Sequence, residues 1–276
     1  MNRGYNYEMF SMGVNSTTSF FVATILFCLA IIISLGSKKH SPRACSLWVL
    51  GVGLWVSSAG FAYLFSIVNQ MDIVAFWVRG CYFWGAFIGI SAFYFSLTYP
   101  NNYKPPVFVR TALILVFFLT MALTYMKDIF NLLGRGDIVP SQTVIADAFI
   151  SNGYLHWTFG SLYIFWDLIF FGFWSATLAV LWQKYKQQTE VNLRRQCLYM
   201  FWAITSGIVP GILLNTIFPW VGIFQLFWVG LMASLVWVSI MTYSIIKDNQ
   251  MSLLVVTNEL LVIALILLMF IGMFAY

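Results

Sequence analysis

Residues 73–98 read IVAFWVRGCYFWGAFIGISAFYFSLT, an apolar run interrupted by one charge, Arg79. A helix crosses about 30 Å of hydrocarbon with about 20 apolar residues, and this stretch is longer than that. It closes at Tyr99-Pro100, where the missing proline amide stops a helix from continuing. A charge inside such a span costs on the order of 2.5–3.5 kcal/mol, so Arg79 requires a partner or a purpose.

Seven further runs of the same kind flank it, at 18–36, 44–68, 107–126, 157–182, 198–218, 222–246 and 252–276. Short polar breaks separate them. Ser37 to Arg43 holds Lys38, Lys39 and Pro42; Asn69 to Asp72 forms a tight turn; 100–106 carries three prolines; Pro219 to Gly222 is a hairpin-like break. Only 127–156 is long enough to hold structure outside the bilayer. Composition agrees: 61% of residues are hydrophobic and 8% charged, against about 45–50% and about 25% in soluble domains. Too little charge is present to clothe a water-facing surface, which excludes a soluble domain, a disordered chain and a nucleic-acid binder. The runs are too long and continuous for a β-barrel. Cys28, Cys45, Cys81 and Cys197 are too scattered for a disulfide framework or a metal knuckle. The expected fold is an all-α, polytopic integral membrane bundle of about eight spanning helices.

Orientation follows from Lys and Arg, which gather in cytoplasmic loops. With the first linker inside, the inner loops hold Lys38, Lys39, Arg43, Lys104, Arg110, Lys184, Lys186, Arg194, Arg195 and Lys247, whereas the outer segments hold only Arg3, Lys127 and Arg135. The N-terminus is therefore expected outside a plasma or inner membrane. The net charge of +5 is then an inner-leaflet feature that favours anionic lipids. Residues 1–17 are polar and lack a signal-type charged start, so the first run reads as a retained anchor. Asn15-Ser-Thr17 matches a glycosylation sequon.

Arg79, Asp167 and Glu259 are the charges well inside runs, Arg110 at the inner end of the fourth being counted with the inner loops. Asp167 and Glu259 fall at comparable depth, with Arg79 roughly 9 Å nearer the outside at 1.5 Å per residue. Arg79 and Asp167 then mark either an outward-opening ligand cavity or a structural ion pair between the third and fifth spans. Alternatively, Arg79 snorkels to headgroups alone. Trp77, Tyr82 and Trp84 beside Arg79, with Tyr154, His156, Trp157 and Trp166 from the fifth span, would supply an aromatic lining for an apolar or zwitterionic ligand. An interfacial aromatic belt explains the same residues. Pro210, within Gly207-Ile-Val-Pro-Gly211, predicts a kinked sixth span. Asp128, Asp137 and Asp147 read as solvated loop residues. His40 and His156 lie far apart, and no metal-ligand spacing, phosphate loop or nucleophile elbow occurs. No catalytic residue, metal or cofactor is expected. Ser57, Ser58, Thr205, Ser206, Asn215, Thr257 and Asn258 read as packing glue first.

Two stretches carry a family resemblance. One is Trp55 to Pro100, through Phe76-Trp77-x-Arg79-x-x-Tyr82 to Phe93-Tyr94-Phe95-Ser96-Leu97-Thr98-Tyr99-Pro100. The other is Arg194-Arg195-Gln196, then Pro210, Asn215, Pro219, Gly222 and Gly230, closing in Tyr243-Ser244-Ile245-Ile246. Together they resemble the N-terminal seven-transmembrane region of bacterial histidine kinases over about 18–250. The resemblance implies an outer segment 1–17, a sensor domain 18–250 with its long outer loop 127–156, and an additional hydrophobic helix 251–276. Phosphoacceptor and ATP-binding boxes are lacking in this sequence, so no enzymatic activity is expected of it. The expectation is a sensor or receptor module of a two-component system, binding a small or lipophilic signal from outside. Relay would run through Pro210, Asn215 and Tyr243 to a kinase or other signalling partner, with membrane lipids around it and a homodimer as an option. A secondary transporter or channel, coupling ions through Asp167 and Glu259, is the alternative; a lipid-directed membrane enzyme would need an acidic cluster at His156.

Overall fold

The computed structural model describes residues 3–36, 38–132, 143–151 and 154–231, with 233, 234, 237 and 238. Among these, six helices are long and apolar enough to cross a membrane. They are α1 (Arg3–Gly36), α2 (His40–Ile67), α3 (Met71–Thr98), α4 (Val107–Leu132), α5 (Tyr163–Gln187) and α6 (Val191–Ile212), the last prolonged through Trp220. The chain is a multi-pass membrane protein. The expected seventh run is described only in part, and the eighth, with Tyr243 and Glu259, lies outside the described residues.

Several boundaries differ from the sequence reading. α1 begins at Arg3, so part of 1–17 is helix rather than a separate segment. Polar side chains do not break a helix that has no Pro or internal Gly cluster. α4 kinks at Tyr125 (φ −104°, ψ 15°) and resumes to Leu132, which places Asp128 on a helix rather than in a solvated loop. The outer loop holds two strands, β1 (Ile145–Ser151) and β2 (Tyr154–Phe159), paired antiparallel with Ala148 opposite Trp157. Among the described residues the bundle is therefore all-α but for this hairpin. α5 starts at Tyr163, so Tyr154, His156 and Trp157 sit on β2 and not on the fifth span. Pro219 lies within the last helical turn, and the break follows it at Gly222, whose φ of 85° only glycine adopts freely.

The α2–α3 turn is tight for a definite reason. Asn69 takes φ 58°, its N–H donates to Ser66 O (3.1 Å), and that of Gln70 donates to Phe65 O (3.1 Å). This double closure satisfies two of the last carbonyls of α2. α2 in turn packs tightly on both neighbours, because glycine gives it two flat faces. A Cβ on Gly51 would stand 2.7 Å from the Phe87 ring of α3, and one on Gly53 2.7 Å from the Phe27 ring of α1. Small residues are how helices approach in lipid, where no hydrophobic force drives them together. α3 is the central helix and buries most of its length, while α4 on its flank buries least.

The two ends of the bundle are chemically unlike. At one end the α1–α2, α3–α4 and α5–α6 connections meet. Ser41 N–H donates to Asn102 Oδ1 (2.9 Å), and Gln188 Nε2 to Asn101 Oδ1 (3.2 Å). The Lys184 ammonium donates to the carbonyls of Ser96 (2.8 Å), Leu97 (2.8 Å) and Tyr99, the last turn of α3. A cation there offsets the negative pole of the helix as well as its unpaired carbonyls. The hairpin covers the opposite end.

Candidate functional site: an aromatic cavity beneath the hairpin

α5 presents Tyr163, Trp166, Phe170, Trp174, Thr177 and Leu181 at spacings of three and four, which puts all six on one face. That face meets α3 at Gly85 and Gly89. A Cβ on Gly85 would be 3.5 Å from the Trp166 ring, and one on Gly89 would be 3.7 Å from Trp174 Nε1. Both are ordinary van der Waals distances, so the two indoles pack directly over the glycine positions.

Tyr82 of α3 closes this face above. Its hydroxyl accepts the Trp157 Nε1–H of β2 at 2.9 Å, and its carbonyl accepts the Trp166 Nε1–H at 2.7 Å. Its ring packs edge-on against Trp157, Phe159, Tyr163 and Trp166 at centroid distances of 4.9–6.3 Å. Such edge-to-face contacts are the favoured aromatic geometry and contribute about 0.5–1.5 kcal/mol each beyond burial. Trp157 also rests on Phe224 (4.6 Å) and Phe227 (5.0 Å), carrying the roof across to the chain beyond α6.

Beneath the roof, α2, α3, α5 and α6 line a partly open cavity of about 80 Å3. Trp48 and Trp55 line it from α2, Trp166 and Trp174 from α5, Ile204 and Ile208 from α6, and Trp237 at its far wall. Three polar atoms in its lining are buried without a hydrogen-bond partner among the described residues: Trp48 Nε1, Trp174 Nε1 and Asn215 Oδ1. Buried polar atoms are nearly always paired, so three in one cavity demand explanation.

Asn215 owes its position to Pro210. Proline in mid-helix removes a donor and crowds the carbonyl four residues back. The chain then widens into a π-helical turn over Leu213–Ile217, where Asn215 Nδ2 donates to Gly211 O at 3.1 Å. Turns of this type recur at functional sites. Gly207 completes the wall: a Cβ there would stand 2.6 Å from the Trp237 ring.

Arg79 serves a different place. It is 2% exposed; Nη1 donates to Asp128 Oδ1 (2.7 Å) and Oδ2 (2.8 Å), and Nε donates to Ile145 O (3.3 Å). It thus ties α3 to α4 and to β1. Its partner is Asp128 and not Asp167, and its burial excludes a side chain snorkelling alone to headgroups. Asp167 instead lies one turn beyond Tyr163 on α5, and both Asp167 Oδ1 and the Tyr163 hydroxyl are buried without a hydrogen-bond partner among the described residues.

Of the residues expected to line a site, Tyr82 and Trp166 meet at the cavity. Trp77 stacks on Phe61 of α2 (4.3 Å, 22°) and Trp84 packs on Phe83 and Phe87, so neither contributes to the cavity lining. Their places on α3 explain this: a run of aromatics on one helix points around its whole circumference. His156 lies between Phe149 (5.5 Å) and Phe224 (4.6 Å), and Tyr154 is exposed on the hairpin. Trp48, Trp174, Trp237 and Asp128 were not singled out from sequence. For Trp174 a signal existed, the fourfold spacing of Trp166, Phe170 and Trp174. Among the described residues no group of His, Cys, Asp or Glu is arranged to hold a metal ion. In comparisons with known proteins, no family model and no curated protein matches this sequence.

Proposed function

We propose that this chain is a membrane-embedded sensor or receptor module, of the kind that precedes bacterial histidine kinases, and that the aromatic cavity receives its signal. The observation that carries this reading is the cavity's mixed character. Its wall is almost wholly apolar, yet two indole N–H donors and one amide oxygen are left without partners. Sites for small molecules have this composition, with few polar groups to fix orientation. The matching ligand has an apolar body, a carbonyl or ether oxygen for the indoles, and a donor for Asn215.

The mechanism is a population shift. A ligand bridging Trp174 and Asn215 favours one packing of α5 against the π turn of α6, and the shift equals its differential affinity for the two packings. The change leaves through the chain beyond α6 toward a kinase or another signalling partner, in a monomer or a homodimer. In this reading the N-terminus and hairpin face outward and the basic end faces the cytoplasm of a bacterial cell. Clustering of Lys38, Lys39, Arg43, Lys104, Lys184, Lys186, Arg194 and Arg195 around that end supports it.

The test uses purified protein in nanodiscs, tryptophan fluorescence, and a library of small amphiphiles bearing carbonyl groups. A binder should quench the wild type and bind at least tenfold more weakly to Trp174→Phe and Asn215→Leu. Equal affinity for all three proteins would refute the assignment of the cavity. The ion-coupled carrier reading rests on Asp167 and Glu259; proteoliposomes should show no ion-dependent uptake if the sensor reading holds.

A further inference from the structure

A second concavity lies on the outside of the bundle, where α4 stands away from α2 and α3. It comprises about 340 Å3 between Leu47, Phe87, Ile90, Leu113, Ile114 and Phe117, and is open along one side. Its apolar walls end in Tyr94 and Arg110. Ser91, the other polar residue there, turns its hydroxyl onto Phe87 O (2.8 Å) and Ile88 O (3.1 Å).

Three observations say what lies in this furrow. First, its length: Arg110 to Phe117 on α4, and Tyr94 back to Phe87 on α3, each span about 10 Å along the helix axis. That is about two thirds of one leaflet's hydrocarbon depth. It is too short to seat a spanning helix, and it suits one acyl chain. Second, its charge: Arg110 stands at the basic end, and its Nε is buried with no partner among the described residues. Arg43, exposed on α2 one turn before Leu47, lies on the same side of that helix as the furrow's wall. Third, its pairing: among the described residues the one ion pair is Arg79–Asp128 at the opposite end, so neither Arg110 nor Arg43 is paired with a described carboxylate.

We propose that this furrow binds an anionic phospholipid, with its phosphate on Arg110 and Arg43 and one acyl chain between α3 and α4. The guanidinium fork suits a phosphate oxygen pair. Acyl contacts replace those that α4 lacks with the bundle, so a bound lipid fills the interface of the least buried helix. This site does not rest on the sensor reading and stands whichever function the cavity has.

Native mass spectrometry of the full chain, released from detergent with defined lipids, tests it. With phosphatidylglycerol and phosphatidylcholine in equal amounts, the wild type should retain phosphatidylglycerol preferentially. Each basic residue near a phosphate contributes about fivefold in affinity. Arg110→Gln should therefore lower that preference about fivefold, and Arg110→Lys should keep most of it. Ile114→Trp, at a position 55% exposed and so outside the packed core, should fill the furrow and reduce retention of both lipids. Equal retention of the two lipids by the wild type would overturn the proposal, as would an unchanged preference in Arg110→Gln. Inorganic phosphate raising the melting temperature as much as phosphatidylglycerol does would also overturn it, by showing a headgroup site without an acyl chain. So would loss of a dimer, with lipid retention intact, in Ile114→Trp.

Discussion

Replacing Asp128 with Ala isolates the energetics of the Arg79 clamp. Removing one partner of a fully buried ion pair costs about 3–5 kcal/mol, since the remaining charge is stranded. Two features reduce that here. The Asp128 side chain is 28% exposed, so water reaches the vacated position, and Arg79 keeps its bond to Ile145 O. The expected loss is then about 2–3 kcal/mol. At about 2–4 °C per kcal/mol for chains of this size, the melting temperature in micelles should fall by about 5–10 °C. Asp128→Asn, which keeps an acceptor, should fall by less. Arg79→Met with Asp128→Ala removes both charges and should be less damaged than the two single losses combined, by at least about 1 kcal/mol. Hydrogen exchange separates the roles further. Arg79→Met also removes the Nε bond to Ile145 O, leaving that carbonyl only the Thr143 hydroxyl (2.8 Å), so amides of 145–159 should exchange faster in that variant than in Asp128→Ala. Additivity of the two substitutions within about 0.5 kcal/mol would refute the pairing.

Three other perturbations address separate contacts. Tyr82→Phe removes the acceptor of the buried Trp157 Nε1–H and should destabilise by about 1–3 kcal/mol, read as a lower melting temperature together with a change in tryptophan emission. Lys184→Met retains the aliphatic stem but frees three carbonyls at the end of α3; a loss of about 1–3 kcal/mol is expected, and an unchanged melting temperature would refute the capping role. Gly53→Ala forces a methyl to within 2.7 Å of the Phe27 ring and should cost about 1–3 kcal/mol through overpacking, whereas Gly211→Ala, which meets nothing within 4 Å, should be tolerated in thermal denaturation.

The spanning helices were legible because hydrophobic length alone defines them. The sequence reading placed the third run at 73–98, and α3 spans Met71–Thr98. Where hydropathy and helicity part, the reading failed. The fourth run ended at 126 because Lys127 and Asp128 follow; the backbone does leave helical geometry at Tyr125 (φ −104°, ψ 15°), but it resumes as helix to Leu132. Asp128 was thereby assigned to a loop and lost as the counter-ion of Arg79. The hairpin was hidden in the same way. Trp157 and Phe159 were absorbed into the fifth run, and the irregular register between Ile145 and Asp147 breaks the twofold alternation that marks a strand. At Pro210 the sequence predicts a kink; what the structure shows is a π-helical turn over Leu213–Ile217, three residues on. The cavity was legible only in fragments: Tyr82 and Trp166 were singled out for their closeness to charges, and Trp48 and Trp174 have none nearby in sequence. Which indoles share a cavity depends on how four helices are rotated, and a list of aromatics carries no such information.

The ammonium tripod on the last turn of α3 has a mechanical consequence. Three bonds from one atom fix a point and leave angles free, so Lys184 acts as a ball joint between α5 and α3. α5 can swing about it but cannot slide along its neighbour. From Lys184 to Tyr163 is about 30 Å of helix, so a swing of a few degrees moves the aromatic roof by more than an ångström and leaves the basic end still. The Trp166 Nε1–H bond to Tyr82 O, near the far end of α5, is the contact that such a tilt would stretch.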